Sequence, residues 1–458
     1  MNHIRAAGTL LFLTALVAVT APAFADTTHI YVAQANGQNT STTAGTAGDP
    51  FKSITYAMGI MTSRATPDPW FVHVKGGTYD ADPAKPDNQR EFFPIDLREG
   101  VTIQGDDGAS ACIISGAFSG HPASPLVRGD TLLSITLHGL TLKDMKRVSG
   151  GGGGCELTEC GGAITNCVVE SNQSSGVYLT LHDNATFTVS GNLFDSNSGA
   201  GFMAWNDFRG SIAGNTFIGN TSGGLTMAYA FAGDITGNTF INNSSPNSSA
   251  SYGGGILLNK WVSGAISDNV FVGNSTNGNG AGGALALTSG GEELLIARNL
   301  FSQNTSLHDG GAVLSRGGIG KLQVYSNVFL YNSSAYSGVS GVGGALCTRQ
   351  DVALINNTFY GGSGTAEQGC VAIYSSAGQS VIENNVFAEV ATAIWEGGEL
   401  DLEIQHNDFD VASGIENILY WNYQPLGNDL EYIQSTLPDV MDNGDWNAGF
   451  RDEGGSVT

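Results

Sequence analysis

From about Ala163 onward, apolar and polar positions alternate in short bursts, and every burst is spelled nearly the same way. It reads SGNLFDSN at 190–197, AGNTFIGN at 213–220, TGNTFINN at 236–243, SDNVFVGN at 267–274 and ARNLFSQN at 297–304. Shorter versions follow: SNVFLYN at 326–332, NNTFYGG at 356–362, NNVFAEV at 384–390 and HNDFDV at 406–411. Aligned on the first Asn, successive copies lie 23, 23, 31, 30, 28, 30, 28 and 22 residues apart. Thr165-Asn166-Cys167-Val168 is a degenerate copy, with Asn166 lying 26 residues before Asn192. Three residues before the Asn stands Val189, Ile212, Ile235, Ile266, Ile296, Val324, Leu354, Ile382 or Ile404. Two residues after it stands Phe194, Phe217, Phe240, Phe271, Phe301, Phe329, Phe359, Phe387 or Phe409.

Alternation with a period of two predicts strands, and the Asn, a residue that tolerates left-handed backbone, predicts a corner between them. A second, Gly-led strand follows in each unit, as in Gly255-Ile256-Leu257-Leu258 and Gly311-Ala312-Val313-Leu314. One such unit cannot bury its Phe and Ile. Stacked units can, each strand pairing with its counterpart about 4.8 Å above and below. Units of 22 to 31 residues suit a three-sided coil. They are too short for propeller blades of roughly 40–50 residues, and no leucine-rich phrase is present. The expected fold is therefore all-β: a single-stranded right-handed parallel β-helix of ten or more coils with an N-terminal cap.

The N-terminal part reads differently. Arg5, the apolar run 10–19 and the small-x-small site Ala23-Phe24-Ala25 spell a secretory leader over 1–25, too short to span a membrane. The mature chain is expected to begin near Asp26 and to be secreted, periplasmic or held at the cell surface. Residues 26–145 form the expected cap and first coils, 146–162 a Gly/Cys-rich loop, 163–412 the repeats and 413–458 a tail. Within the cap run Ile30-Tyr31-Val32-Ala33, then Gly48-Asp49-Pro50-Phe51-Lys52-Ser53-Ile54 with a short helix to about Ser63. Phe71–Val74, Gly77-Thr78-Tyr79, Glu91-Phe92-Phe93-Pro94-Ile95 and Gly100-Val101-Thr102-Ile103-Gln104-Gly105 follow. This succession resembles the DUF1565 family, which opens many pectin-lyase-like β-helix proteins, and the repeats resemble parallel β-helix regions generally. The resemblance implies a cap followed by a solenoid and carries no catalytic residues. The phrase 447–452 resembles one that such proteins follow with another strand, so the chain is expected to continue past Thr458.

Composition sharpens the partner classes. The chain carries 65 Gly, only 13% charged residues and a net charge of −24 from 18 basic and 42 acidic side chains. No positive field is present to attract nucleic acid or an anionic membrane. The six cysteines are Cys112, Cys155, Cys160, Cys167, Cys347 and Cys370. A bridge between Cys155 and Cys160 is the expected pairing, since a zinc site would want a second closely spaced pair.

Three outward constellations are candidates for chemistry. Aligned on the leading Gly, the Gly-led strands give a column of Asn206, Tyr229, Lys260, Thr288, Arg316, Arg349 and Ser375. Its bases suit uronate carboxylates or the base step of a lyase; the plainer reading is a solvated edge. Asp183 and Asp207, with His182 and Arg209, fall on successive coils and suit a glycosidase pair, although such residues often only cap turns. The outward apolar series Tyr178, Met203, Thr226, Leu257, Leu285, Val313, Leu346 is either covered or a binding face. In the second case Trp205, Tyr229, Trp261 and Tyr374 are sugar platforms. Polygalacturonase and pectate-lyase signatures are absent, and no calcium-loop motif supports a bound Ca2+, so no cofactor is expected. The sequence favours a non-catalytic exported monomer that binds glycan or a partner surface. The alternative is a lyase or hydrolase acting on an acidic polysaccharide.

Overall fold

The computed structural model describes residues 28–39, 45–63, 69–118, 124–146, 151–246, 253–277, 280–290, 294–317, 320–334, 343–362, 369–374, 379–397, 401–410, 415–421 and 424–428. The expected leader and most of the tail lie outside them. The chain folds as a right-handed parallel β-helix with three faces per coil. One coil runs through Phe202–Ala204 on the first face, Phe208–Ala213 on the second and Thr216–Ile218 on the third. Among the described residues the third face alone is a ladder of thirteen strands, from Gly77–Asp80 to Asp408–Phe409.

The interior follows from the repeat. Phe194 to Phe409 stack face to face in one unbroken file, centroids 4.7 to 5.1 Å apart. The Val/Ile/Leu column from Val189 to Ile404 lines the second face beside them and is equally buried.

The repeat Asn does something other than bend the chain. At each corner the left-handed residue is the one before it, such as Arg298 (φ 54°), Ser326 (φ 56°) or Asn356 (φ 60°). The Asn itself is buried and its amide forms a ladder. Asn269 Nδ2 donates to Asn299 Oδ1 at 3.0 Å and to Ile235 O at 2.9 Å, and Asn269 Oδ1 accepts from Asn238. The ladder runs from Asn192 to Asn407. In the degenerate copy Cys167, rather than Asn166, takes the ladder position, its N–H donating to Asn192 Oδ1. A second ladder, Asn172–Asn197–Asn220–Asn243–Asn274–Asn304–Asn332, closes the corner between the third and first faces.

The left-handed position before the second ladder is Gly273 in one coil and Gln303 in the next, at φ 64° and 55°. A side chain there costs about 1–2 kcal/mol, while glycine loses about 0.5–1 kcal/mol more chain entropy on folding. Gln303→Gly should therefore raise stability by about 0.5 kcal/mol, measured as a higher denaturant midpoint at unchanged slope.

The cap is a helix, Ile54–Ser63, as the sequence predicts. Ile54, Ala57, Met58 and Met61 are buried against the first coil. The helix has no acidic residue in its first turn; Glu91 supplies one from 36–37 residues away, accepting from the N–H groups of Ile54 and Thr55 and from the Thr55 hydroxyl. Asn39 ties the preceding loop to Ser53, Lys52 and Asn88.

The cysteine expectation fails. All six thiols are free and buried. Cys155 and Cys160 lie on one strand, Gly152–Cys160, and five residues of extended chain span on the order of 15 Å, beyond a disulfide's reach. Burial pushes Cys160 and Cys167 up to about 11 and raises Cys155 well above the ordinary thiol value, so all three stay protonated.

Candidate functional site

The first face divides into a covered half and an open half. On the covered side the register corrects the sequence alignment by one residue. Ala284, Ala312 and Ala345 occupy the place held by Gly255 in the earlier coil, so Leu285, Val313 and Leu346 pair with Ile256 and point inward. The outward residues are Ala286, Leu314, Cys347 and Ala372, and all are fully buried. A one-residue slip exchanges the two faces of a strand.

Cover comes from the chain inserted between the third and first faces before Ala284, where Ala281 packs with Leu314, Cys347, Ala372 and Trp395. On the open side no such insertion exists: four residues join Asn220 to Leu225. Tyr178, Met203 and Thr226 are half-exposed there.

Two depressions lie side by side across this open half. One, of about 360 Å³, is formed at the corner between the first and second faces by His182, Asp183, Asn184, Asn206, Asp207 and Arg209, with Leu181 below. The other, of about 560 Å³, has Tyr178 and Met203 as its floor and a rim of serines. Trp205 belongs to both. It is 48% exposed, meets Tyr229 edge to face at 6.1 Å, and Tyr229 is 53% exposed.

Side chains tie the corner across coils. Asn206 accepts from Leu181 N–H at 2.6 Å and donates to Leu181 O at 2.7 Å, replacing a strand partner. Asp207 Oδ1 accepts from Ala230 N–H at 3.2 Å, and Arg209 reaches Asn184 Oδ1 at 3.5 Å. His182 Nδ1 contacts the Asp183 carbonyl at 3.1 Å. The sequence candidates Asp183, Asp207, Arg209, Trp205 and Tyr229 are thus brought together. Both carboxylates are exposed to solvent.

The basic column is not assembled as aligned. Leu258, Leu287, Ser315, Thr348 and Ile373 share one ladder position, so Asn259, Thr288, Arg316, Arg349 and Tyr374 form the next column. Lys260 stands one place further on, its backbone beside Ala230 at the edge of the cleft. Arg349 instead meets the buried Asp309 carboxylate at 3.4 Å and lies over the Tyr374 ring at 5.6 Å. Tyr374 packs on Trp395 at 4.6 Å. Four coil spacings, roughly 19 Å, separate Arg349 from Tyr229, and Tyr374 lies one coil further. The side chain of Trp261, like Ser375, lies outside the described residues.

The sequence did not single out a further polar cluster on the outer side of the second face near the cap. His73 Nε2 meets His29 Nδ1 at 2.8 Å and His73 Nδ1 meets Asp106 Oδ1 at 2.9 Å, with Lys75 on the other carboxylate oxygen at 3.0 Å. Burial works upward on Asp106, but the hydrogen bonds and charges of His73 and Lys75 outweigh it and hold the carboxyl below its usual value. Coil register brings together residues 31 to 44 apart; no local motif signals them. Among the described residues no three His, Cys, Asp or Glu side chains converge on a metal position, and no helix is long and apolar enough to cross a membrane.

Comparison with known proteins agrees with the architecture. Residues 126–301 match the family model described as a right-handed β-helix region. That span contains the whole of the open cleft from Gly151 to Tyr229. No curated protein and no solved structure matches the chain.

Proposed function

We propose that this chain is an exported, non-catalytic β-helix protein that binds a glycan across the open half of its first face. The observation that carries this reading is the Trp205–Tyr229 pair, held exposed where two depressions meet. Exposed aromatic faces beside hydrogen-bonding side chains suit sugars, whose C–H faces stack while their hydroxyls bond in plane. The serine rim on one side and the Asn/Asp/Arg corner on the other supply those partners. The leader over 1–25 supports export.

A second reading, hydrolysis, draws on Asp183 and Asp207 sharing one depression. It is disfavoured because a general acid for glycoside cleavage needs a carboxyl shielded from water, and both of these face solvent.

Titration of the full chain against a panel of oligosaccharides, with parallel assays for new reducing ends and unsaturated products, separates the two. Trp205→Ala should weaken binding on the order of tenfold without changing the melting temperature. Turnover abolished by Asp207→Ala would replace the binding reading with the hydrolytic one.

A further inference from the structure

We propose that the cleft sorts glycans by charge, holding amine-bearing chains best, neutral chains next and uronate chains least. This rests on the glycan reading of the cleft and adds to it the chemical class of the ligand. The two depressions differ in kind. None of the twelve residues lining the larger one is charged, so that side offers stacking on Tyr178 and Trp205 and hydrogen bonds from serines.

The charged residues that line the cleft itself all sit on the other side of Trp205. Asp183 makes no side-chain hydrogen bond among the described residues, and Asp207 uses only Oδ1, on Ala230 N–H. Three carboxylate oxygens therefore stand ready to accept. Arg209 is the one cation in that depression, and its contact with Asn184 is long. Glu156, the strand neighbour of Tyr178, adds a third carboxylate at the N-terminal edge. Lys260 adds a second cation at the C-terminal edge. The local excess is negative, as is the chain at −24.

Carboxylates accept from sugar hydroxyls and more strongly from an ammonium group. A uronate placed there would face like charges with one guanidinium to offset them, and like-charge juxtaposition is a device of exclusion. The aromatic pair gives affinity for a sugar chain of any charge; the aspartates set which charge is accepted.

The test is titration with matched-length oligomers of glucosamine, glucose and galacturonic acid, at low and high salt. The wild-type chain should prefer the glucosamine oligomer to the glucose oligomer by about tenfold at low salt. The margin should shrink as salt screens it, and galacturonate should bind weakest. In an Asp183→Asn, Asp207→Asn double variant the three affinities should converge. Both sites are exposed, and the amide introduced by Asp207→Asn keeps an oxygen for Ala230 N–H, so the fold is retained. An amine preference that survives in the double variant would assign it to the field of the whole chain and overturn the proposal. Galacturonate binding as tight as that of the glucose oligomer would overturn it too while leaving the glycan reading intact. Failure of all three oligomers to bind would remove the glycan reading itself.

Discussion

Asn269→Ala should melt the middle of the solenoid. The wild-type side chain sits 1% exposed in the centre of the first ladder. Its Oδ1 accepts from Asn238 N–H at 2.8 Å and from Asn238 Nδ2 at 3.0 Å, while its Nδ2 donates to Ile235 O and Asn299 Oδ1. Alanine removes all four bonds. Asn299 Oδ1 keeps the Asn269 backbone N–H, and Asn238 Nδ2 keeps the Ile212 and Thr236 carbonyls, but the Asn238 N–H and the Ile235 carbonyl lose this partner in a corner without solvent. Each such group costs about 1–3 kcal/mol, so the loss is about 4 kcal/mol.

Because each coil touches only its neighbours, the damage should centre on the coils of Asn238, Asn269 and Asn299 and fade outward. Hydrogen exchange resolved by segment, together with a thermal melt, would measure it. Asn269→Asp is a stricter variant: it keeps the acceptor and the shape, but sets a carboxylate oxygen against Asn299 Oδ1. It should fail almost as badly. Asn277→Ala, on an exposed side chain, should stay within about 0.5 kcal/mol of wild type. Unchanged protection around Asn269→Ala would show that the ladder is ornament to the Phe stack.

The ladder also shows how far the sequence could be read. Repetition of Phe and of the preceding aliphatic residue dictated three-sided coils, because only stacking buries such a pattern, and that inference holds over all thirteen strands of the third face. The Asn was legible as a corner residue, but its role was not. Left-handed backbone and an amide ladder both select Asn, and only register tells that the preceding residue bends. The second ladder was written in the last letter of SGNLFDSN and AGNTFIGN; the Phe signal beside it drew the alignment.

The candidate site was half legible. Asp183, Asp207, Trp205 and Tyr229 lie in coils of regular length, so counting residues placed them together. Lys260, Arg316 and Arg349 lie beyond insertions in coils of 28 to 31 residues; before the strands of Arg316 and Arg349, Gly-Gly-Ala replaces the Gly253-Gly254-Gly255 that precedes the strand of Lys260, and shifts the face by one. A leading glycine is a weak register mark because alanine can share its place when the neighbouring backbone leaves room. The cover over Leu314 and Cys347 was invisible, because the inserted loops carry no repeat.

The cap should be the other point of failure, through a residue far from the helix it stabilises. Glu91 is fully buried, and its two oxygens take the Ile54 N–H at 2.7 Å, the Thr55 N–H at 2.8 Å and the Thr55 hydroxyl at 2.6 Å. The first N–H groups of a helix have no internal partner, and here the helix N-terminus faces protein rather than water. Glu91→Ala strands two backbone donors, leaves the Thr55 hydroxyl with Phe92 alone, and removes an acceptor from the positive end of the helix dipole. The expected loss is about 3 kcal/mol, with Ile54–Ser63 released first and the buried Met58 and Met61 exposed.

Acidity gives an independent check. Burial pushes the Glu91 carboxyl up, more than its hydrogen bonds from Thr55 and Ile54 pull it down. A carboxyl raised on folding binds its proton more tightly in the folded state, so its contribution is fully present below the ordinary glutamate value of about 4.3 and is lost as pH rises through the raised value. Wild-type stability should therefore carry a declining component across that window, and Glu91→Gln, neutral throughout, should lack it. Gln also turns an NH2 toward one of the helix N–H groups, so its stability should be lower than wild type at every pH while flatter across the window. Chemical denaturation of both chains from about pH 4 upward would measure the difference. Parallel pH profiles would show that Glu91 titrates as it does in the unfolded chain, leaving the helix cap as its only contribution.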